Sequence, residues 1–271
     1  MPLTRTGFHL QYEELCPGNA ALGAVAVIPW DSEIFGFPVA SYRLPSDTPP
    51  DDIQSMLGAS LLGWANANGV VLCSCAVPAA DRNWRACLPR AGFQEVDFSL
   101  QVSLNGLQTA KLPEARAELR EATAADHESI KRIAAAGFQH GRYHADPRFP
   151  RDLADRRYSQ WMTNALSGDD PQDRVFVLGE TDHVQGFYHV TMEKDVSDLR
   201  LASVAPEFKG TMLGFDLYAS ILHVLKQRGV RRVVASISAA NTAVMNVFAT
   251  LGFRFSQPEL IYHWHAEAAR R

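Results

Sequence analysis

The sequence predicts an α/β protein built on a mixed sheet, and three observations lead there. Short apolar runs of strand length alternate with segments of helical spacing along the chain. "RVFVLGETDHVQGFYHVTMEK", residues 174–194, reads as two strands around a polar turn, so the sheet is not wholly parallel. One strand–helix–strand unit occurs twice.

The repeat is "GVVLCSCAVPAADRNWRACLPRAGF", residues 69–93, and "GVRRVVASISAANTAVMNVFATLGF", residues 229–253, at a constant offset of 160 residues. Gly69-Val70, Ala79-Ala80 and Gly92-Phe93 match Gly229-Val230, Ala239-Ala240 and Gly252-Phe253, and Asp81 stands opposite Asn241. Each copy reads as a strand, a polar helix start, a short helix and a Gly-Phe that opens another strand. Chance likeness between two ordinary strand–helix–strand units is the alternative to duplication. A duplication predicts two similar domains, joined in the polar, strand-poor stretch of residues 105–118: a first domain over 1–112 and a second over 113–271.

The remaining elements follow in order. Strands are expected near 23–28 and 37–44 and a helix over 51–68, with Trp30, Asp31, Phe35 and Phe37 in a packed corner. After the joint, "AELREAT" is a strand, and Thr123 to Asp126 forms a capping box ahead of the helical spacing Ile130, Ile133, Ala134 and Phe138. "YSQWMTNALSG" is a second helix and "DLRLASV" a strand. Leu213, Leu217, Ile221 and Leu225 mark one face of a helix ending near Gly229. Tyr262, His263 and Trp264 belong to the last strand.

Composition narrows the function classes. With 46% apolar and 21% charged residues the chain is globular. A net charge of −4 argues against a general nucleic-acid binder, which needs excess cation to displace counterions. No apolar run reaches the length of a membrane span, and the N-terminus lacks the basic start and apolar core of a leader. Cys16, Cys73, Cys75 and Cys87 show no second ligand pair at zinc spacing, so no metal is expected, and a reducing, cytoplasmic compartment is.

"VAPEFKGTMLG", residues 204–214, has the outline of an anion site: a strand, a glycine-bearing turn, then a helix start. Free amides and the helix dipole there favour negative charge, and Lys209 adds a cation. Gly210 and Gly214 permit close backbone approach. No Gly-Lys-Ser/Thr ends the loop, and the glycines lack dinucleotide-fingerprint spacing. A tight strand-to-helix turn without a ligand is the plain alternative.

The same loop resembles the acyl-CoA loop of the GNAT superfamily of N-acyltransferases, V-x-P-x-x-R/Q-G-x-G/A-x-G/A, and "NTAVMNVFATLGF" resembles that superfamily's second motif. "IPWDSEIFGFPVASYRL" and "GFQHGRYHADPRFP" are similar to segments of the two-domain group that includes the TDP-fucosamine acetyltransferases. The resemblance implies a GNAT fold in tandem with a degenerate N-terminal GNAT-like domain that lacks the loop. It implies acetyl-CoA and direct attack by a small-molecule amine, such as that of an amino sugar nucleotide. Main-chain groups at Val204 would hold the pantetheine arm, and the amides of Lys209, Gly210, Thr211, Met212, Leu213 and Gly214 the diphosphate. Asn241 and Asn246 would line the other side. Nucleic acid and membrane are not expected partners; a homodimer is left open.

The chain departs from that pattern at three positions. Lys209 stands for Arg or Gln, Met212 for Gly or Ala, and Phe248 for the Tyr whose hydroxyl would serve the departing thiolate. Water, Tyr218 or Ser238 would have to substitute, and a non-catalytic acyl-CoA binder is the competing expectation. His140, Arg142, Tyr143 and His144, with Asp146, form the candidate acceptor cluster, and Glu193, His189 and Asp198 are the candidate bases.

Overall fold

In the computed structural model, which describes residues 10–18, 22–45, 51–181 and 183–266, the two copies of the repeat fold alike, element for element. β4 (Leu72–Pro78), α3 (Arg82–Arg90) and the start of β5 (Gln94–Asn105) lie 160 residues before β10 (Arg232–Ser238), α8 (Thr242–Thr250) and β11 (Arg254–Phe255). The helices start alike. An Asp81 carboxylate oxygen accepts from the Trp84 amide at 3.1 Å, and the Asn241 side-chain oxygen accepts from the Val244 amide at 3.2 Å. Either oxygen satisfies an orphan amide of the first turn, which is why Asp and Asn are interchangeable there. The start of the chain, on which the leader reading rests, lies outside the described residues.

The chain divides into two compact units: residues 1–99, 141–153 and 257–271, and residues 100–140 and 154–256. The first unit has sheet order β1 (Glu13–Glu14), β2 (Ala24–Val27), β3 (Val39–Arg43), β4, β12 (Glu259–His265) and the first half of β5. β3 and β4 are parallel, with α2 (Asp51–Asn68) between them in sequence, and the other pairs are antiparallel. Its core gathers Tyr42, Leu61, Trp84, Phe93, Leu260 and Trp264.

The second unit has sheet order β5 (second half), β10, β9 (Val196–Val204), β8 (Gly186–Glu193), β7 (Asp173–Leu178) and β6 (Leu119–Glu121), with β11 antiparallel to Val102 and Ser103 of β5. One core packs Tyr188, Leu217, Ile221, Phe248 and Phe253, drawing on α7 (Leu213–Gln227) and α8. Another packs Ile133, Met162, Phe187 and Leu201, drawing on α4 (His127–Gly137) and α6 (Arg151–Leu166). The expected capping box is present: Thr123 and Asp126 satisfy each other's turn, and Asp126 also takes two bonds of 2.8 Å from Arg120.

This division corrects the boundary expected at residue 112. In each unit the closing strand continues from the other copy of the repeat. Residues 259–265 fill the slot beside β4, and residues 100–105 fill the slot beside β10. A strand that merely continues another carries no composition break, so no polar stretch marks the change of unit.

The corner around Trp30 is a helix, α1 (Pro29–Phe35), and it belongs to a buried polar network in the first unit. The Tyr143 hydroxyl donates to Asp31 Oδ2 at 2.6 Å, and Phe35, Tyr143 and Phe149 pack edge to face around it. Asp146 Oδ2 is 2.8 Å from His263 Nδ1 and 2.7 Å from His265 Nε2, while its Oδ1 accepts from the Arg148 amide at 2.9 Å. Burial alone would raise the Asp146 carboxyl, but the bonds from His263, His265 and Arg148 outweigh it and hold it well below the usual range. Burial lowers His263 to about 4.

A histidine kept neutral by the fold takes its proton only on unfolding. Its contribution is therefore intact above the unfolded value near 6.5 and is lost as pH falls towards 4. Unfolding free energy is expected to fall by up to about 1.4 kcal/mol per pH unit across that window. His263→Gln should flatten the slope, read from denaturation midpoints across the window; an equally steep slope in the variant would assign the loss to other groups.

Candidate functional site

The site begins where two parallel strands part. β9 and β10 pair from Val196–Arg232 to Leu199–Ala235 and no further. At the same point Arg200 is an extra residue in β9: the register with β8 jumps from Val190–Leu199 to His189–Leu201. A bulge bends its strand and increases local twist, which carries β9 away from β10. Residues 201–204 keep β8 on one side and leave their other edge without a strand partner. Ala202 and Val204 of this edge, with Leu213, Tyr218, Ile237 and Val244, are half-buried apolar side chains packed against the core of this unit.

The loop after β9 supplies the polar end. A single 3-10 turn, Pro206–Phe208, leads to Lys209, to Gly210 at φ 78° and to α7, whose cap residue Met212 makes no side-chain bond. Of the six amides expected to face a diphosphate, three turn inward. Lys209 donates to the Pro206 carbonyl, Thr211 to the Phe208 carbonyl, and Leu213 to Thr211 Oγ1 at 3.2 Å. Those of Gly210, Met212 and Gly214 have no partner among the described residues. They alternate with the engaged ones and lie at the positive end of a 15-residue helix.

A Cβ built at Gly210 or Gly214 meets no atom within 4 Å, so the protein itself leaves that space open. Met212 is 61% exposed, so its side chain does not fill the loop. These features fit a diphosphate. Lys209 is tied more closely than expected: its ammonium donates to the Ala136 carbonyl at 2.8 Å, at the negative end of α4.

Phe248 is buried, in contact with Phe253 at 4.7 Å between ring centroids and edge-on to Tyr218 at 5.4 Å. Tyr218 in turn meets Tyr188 edge-on at 5.1 Å. Burial pushes the Tyr218 phenol up to about 12 and the Tyr188 phenol well above its ordinary value. The Tyr218 neighbour raises the Tyr188 phenol further, whereas the Tyr188 neighbour eases loss of the Tyr218 proton.

The other candidates are dispersed. Asn241 spends its oxygen on the α8 cap, and Asn246 sits on the exposed side of that helix. His189 is buried with Nε2 2.8 Å from Asp173 Oδ1. Glu193 is exposed at the hairpin end, opposite Val196. Seven residues separate it from the partner of Val204, roughly 24 Å at about 3.4 Å per residue, so strand alternation with His189 does not bring it to the fork. Asp198 accepts from Arg200 at 2.7 Å.

His140 is an exposed residue of the second unit. Arg142, Tyr143 and His144 belong to the first, where Arg142 and Tyr143 are engaged by Asp31. Buried hydrogen bonding, which residue types do not reveal, engages Arg142 and Tyr143 of the expected acceptor cluster. Tyr188 and Arg200 were not among the candidates. The alternation that puts His189 on one face of β8 puts Tyr188 on the other, the face that meets α7, and this signal was available in the sequence.

Over residues 130–253 the chain matches the family model described as Acetyltransferase (GNAT) family. Residues 130–253 thus resemble the GNAT acetyltransferases, and the mixed sheet is the GNAT fold. It is 27% identical over 146 residues to the spore coat polysaccharide biosynthesis protein SpsD of Bacillus subtilis, covering 54% of this chain and half of that protein. It is 22% identical over 236 residues to the dTDP-fucosamine acetyltransferase of Escherichia coli, covering 84% of this chain and 92% of that one. Among solved structures, a tandem GNAT protein from the clavulanic acid biosynthesis pathway shares the fold with a TM-score of 0.57, at 17% identity over 90% of this chain and 78% of that one.

Gly214→Val tests the loop directly. Because its Cβ meets nothing in the protein, the melting temperature is expected to stay within about 2 °C, whereas CoA binding by calorimetry should weaken at least about 10-fold. Unaltered binding would remove the diphosphate from this loop.

Proposed function

We propose that this protein is an N-acetyltransferase that moves the acyl group of acetyl-CoA to an amine of a small molecule, such as an amino sugar nucleotide, by direct attack in a ternary complex. The observation that carries the reading is the set of three unpartnered amides at the start of α7, beside a fork with one unpaired strand edge. Bound acetyl-CoA supplies the activated acyl group and a thiol leaving group.

The chain supplies placement. The amides of Gly210, Met212 and Gly214 hold the diphosphate, and the free edge of residues 201–204 holds the pantetheine arm as an added strand would be held. Fixing both ends of a long, flexible carrier removes orientational freedom from the reaction. His189 and Asp198 are occupied by Asp173 and Arg200, so the amine proton leaves through water rather than to either of them.

The acceptor class is supported by the two relatives, one a spore coat polysaccharide biosynthesis protein and the other a dTDP-fucosamine acetyltransferase. We assign catalysis to the second unit. In the first, residues 44–50, "LPSDTPP", stand between β3 and α2 without a glycine. Free cysteines suit a reducing cytoplasm.

Phe248 favours a second reading, a protein that binds acyl-CoA without turning it over. Thiol release from acetyl-CoA separates the two. Release is expected with an amino sugar nucleotide as acceptor and not without an amine. Tight CoA binding with only background release across a broad amine panel would establish the second reading.

A further inference from the structure

We infer that the hydroxyl missing from α8 is supplied from α7: Tyr218, packed against Tyr188, faces the sulfur of the bound thioester and hydrogen-bonds to it as it leaves. The inference rests on the acyl-transfer reading above. Its ground is the arrangement of three rings. Phe248 occupies the position where the resemblance places a Tyr, and its ring meets Tyr218 at 5.4 Å and 87°. Tyr218 meets Tyr188 at 5.1 Å and 75°. Tyr188 is in register with Ala202, beyond the bulge, so the pair lies beside the fork rather than deep in the sheet.

The two phenols have different duties. Tyr188 is buried in the sheet and its ring packs edge-on against that of Tyr218, which fixes the Tyr218 ring. Tyr218 is half-buried, and its ring meets both Tyr188 and Phe248.

In the transfer the amine nitrogen's lone pair forms the C–N bond. The C–S bond breaks with its electron pair on sulfur, and one amine proton passes to water. Tyr218 keeps its proton throughout. Its phenol, pushed up to about 12 by burial, holds that proton more tightly than a thiol near pKa ~8.5 would. Its contribution is a charge-assisted hydrogen bond to the thiolate, not protonation. Tyr218 is thus the catalytic residue and Tyr188 a positioning residue.

Kinetics and binding test this together. Tyr218→Phe is expected to lower kcat about 100-fold with KM for acetyl-CoA within about 3-fold, and Tyr188→Phe to lower kcat about 10-fold. Adding Phe248→Tyr to Tyr218→Phe should recover about 10-fold, because the new phenol enters from the other side of the same ring contact. Calorimetry with CoA and with desulfo-CoA, which lacks the sulfur, supplies a readout independent of turnover. At alkaline pH, Tyr218→Phe should weaken CoA about 10-fold and leave desulfo-CoA unchanged.

A kcat within about 3-fold of the parent, or an equal loss for both ligands, would overturn the inference, the latter by showing a packing role. If the parent binds CoA but acylates no amine, the acyl-transfer reading fails on its own. The comparison of CoA with desulfo-CoA then decides whether Tyr218 faces the sulfur.

Discussion

The separation of β9 from β10 is the constraint on which the candidate site depends. Two parallel strands would ordinarily continue their ladder, burying each other's amides and carbonyls. Here the ladder stops at Leu199–Ala235, and an extra residue, Arg200, bends β9 at that point. What remains is a strand edge with unspent hydrogen-bonding capacity, flanked by half-buried apolar side chains, with a helix N-terminus at its far end. An unsatisfied edge is costly inside a protein. It is tolerable where a guest with its own amides can complete it.

The loop beyond β9 shows how selectively a backbone presents its amides. Three of six are spent on the turn itself, which fixes the loop's shape, and the three between them have no partner among the described residues. Gly210 is required by its positive φ. Gly214 has no such conformational demand, and the protein leaves open the space its side chain would occupy. Lys209, the residue closest to a generic phosphate cation, serves partly to tie the loop to the end of α4. Charge at this site therefore comes more from oriented dipoles than from side chains.

The first unit has the same strand–helix–strand core, and its sequence between β3 and α2 carries no glycine. Its ionisable groups are turned inward instead. Asp31 and Asp146 are each satisfied by several donors, and rings from three segments close over them. Groups that on residue type alone resembled an acceptor-binding cluster are spent there on holding α1, the segment 141–153 and β12 together.

Much of this was legible in the amino-acid order. The repeat at a fixed offset, the capping box at Thr123, the glycine loop and the apolar stripe of α7 are local patterns, and local patterns follow from backbone sterics and the periods of helix and strand. The order of residues sufficed for the class of fold and for the position of the glycine loop ahead of α7. It did not suffice for which amides are free, where the strands part, or which of several polar residues are already partnered. It also missed the change of unit within β5, since a strand's period is the same whichever sheet receives it. Those are properties of contacts between segments far apart in the chain. The Tyr188–Tyr218–Phe248 stack shows the reason plainly: its members come from a strand and two helices, and only packing those elements against one another brings the three rings together.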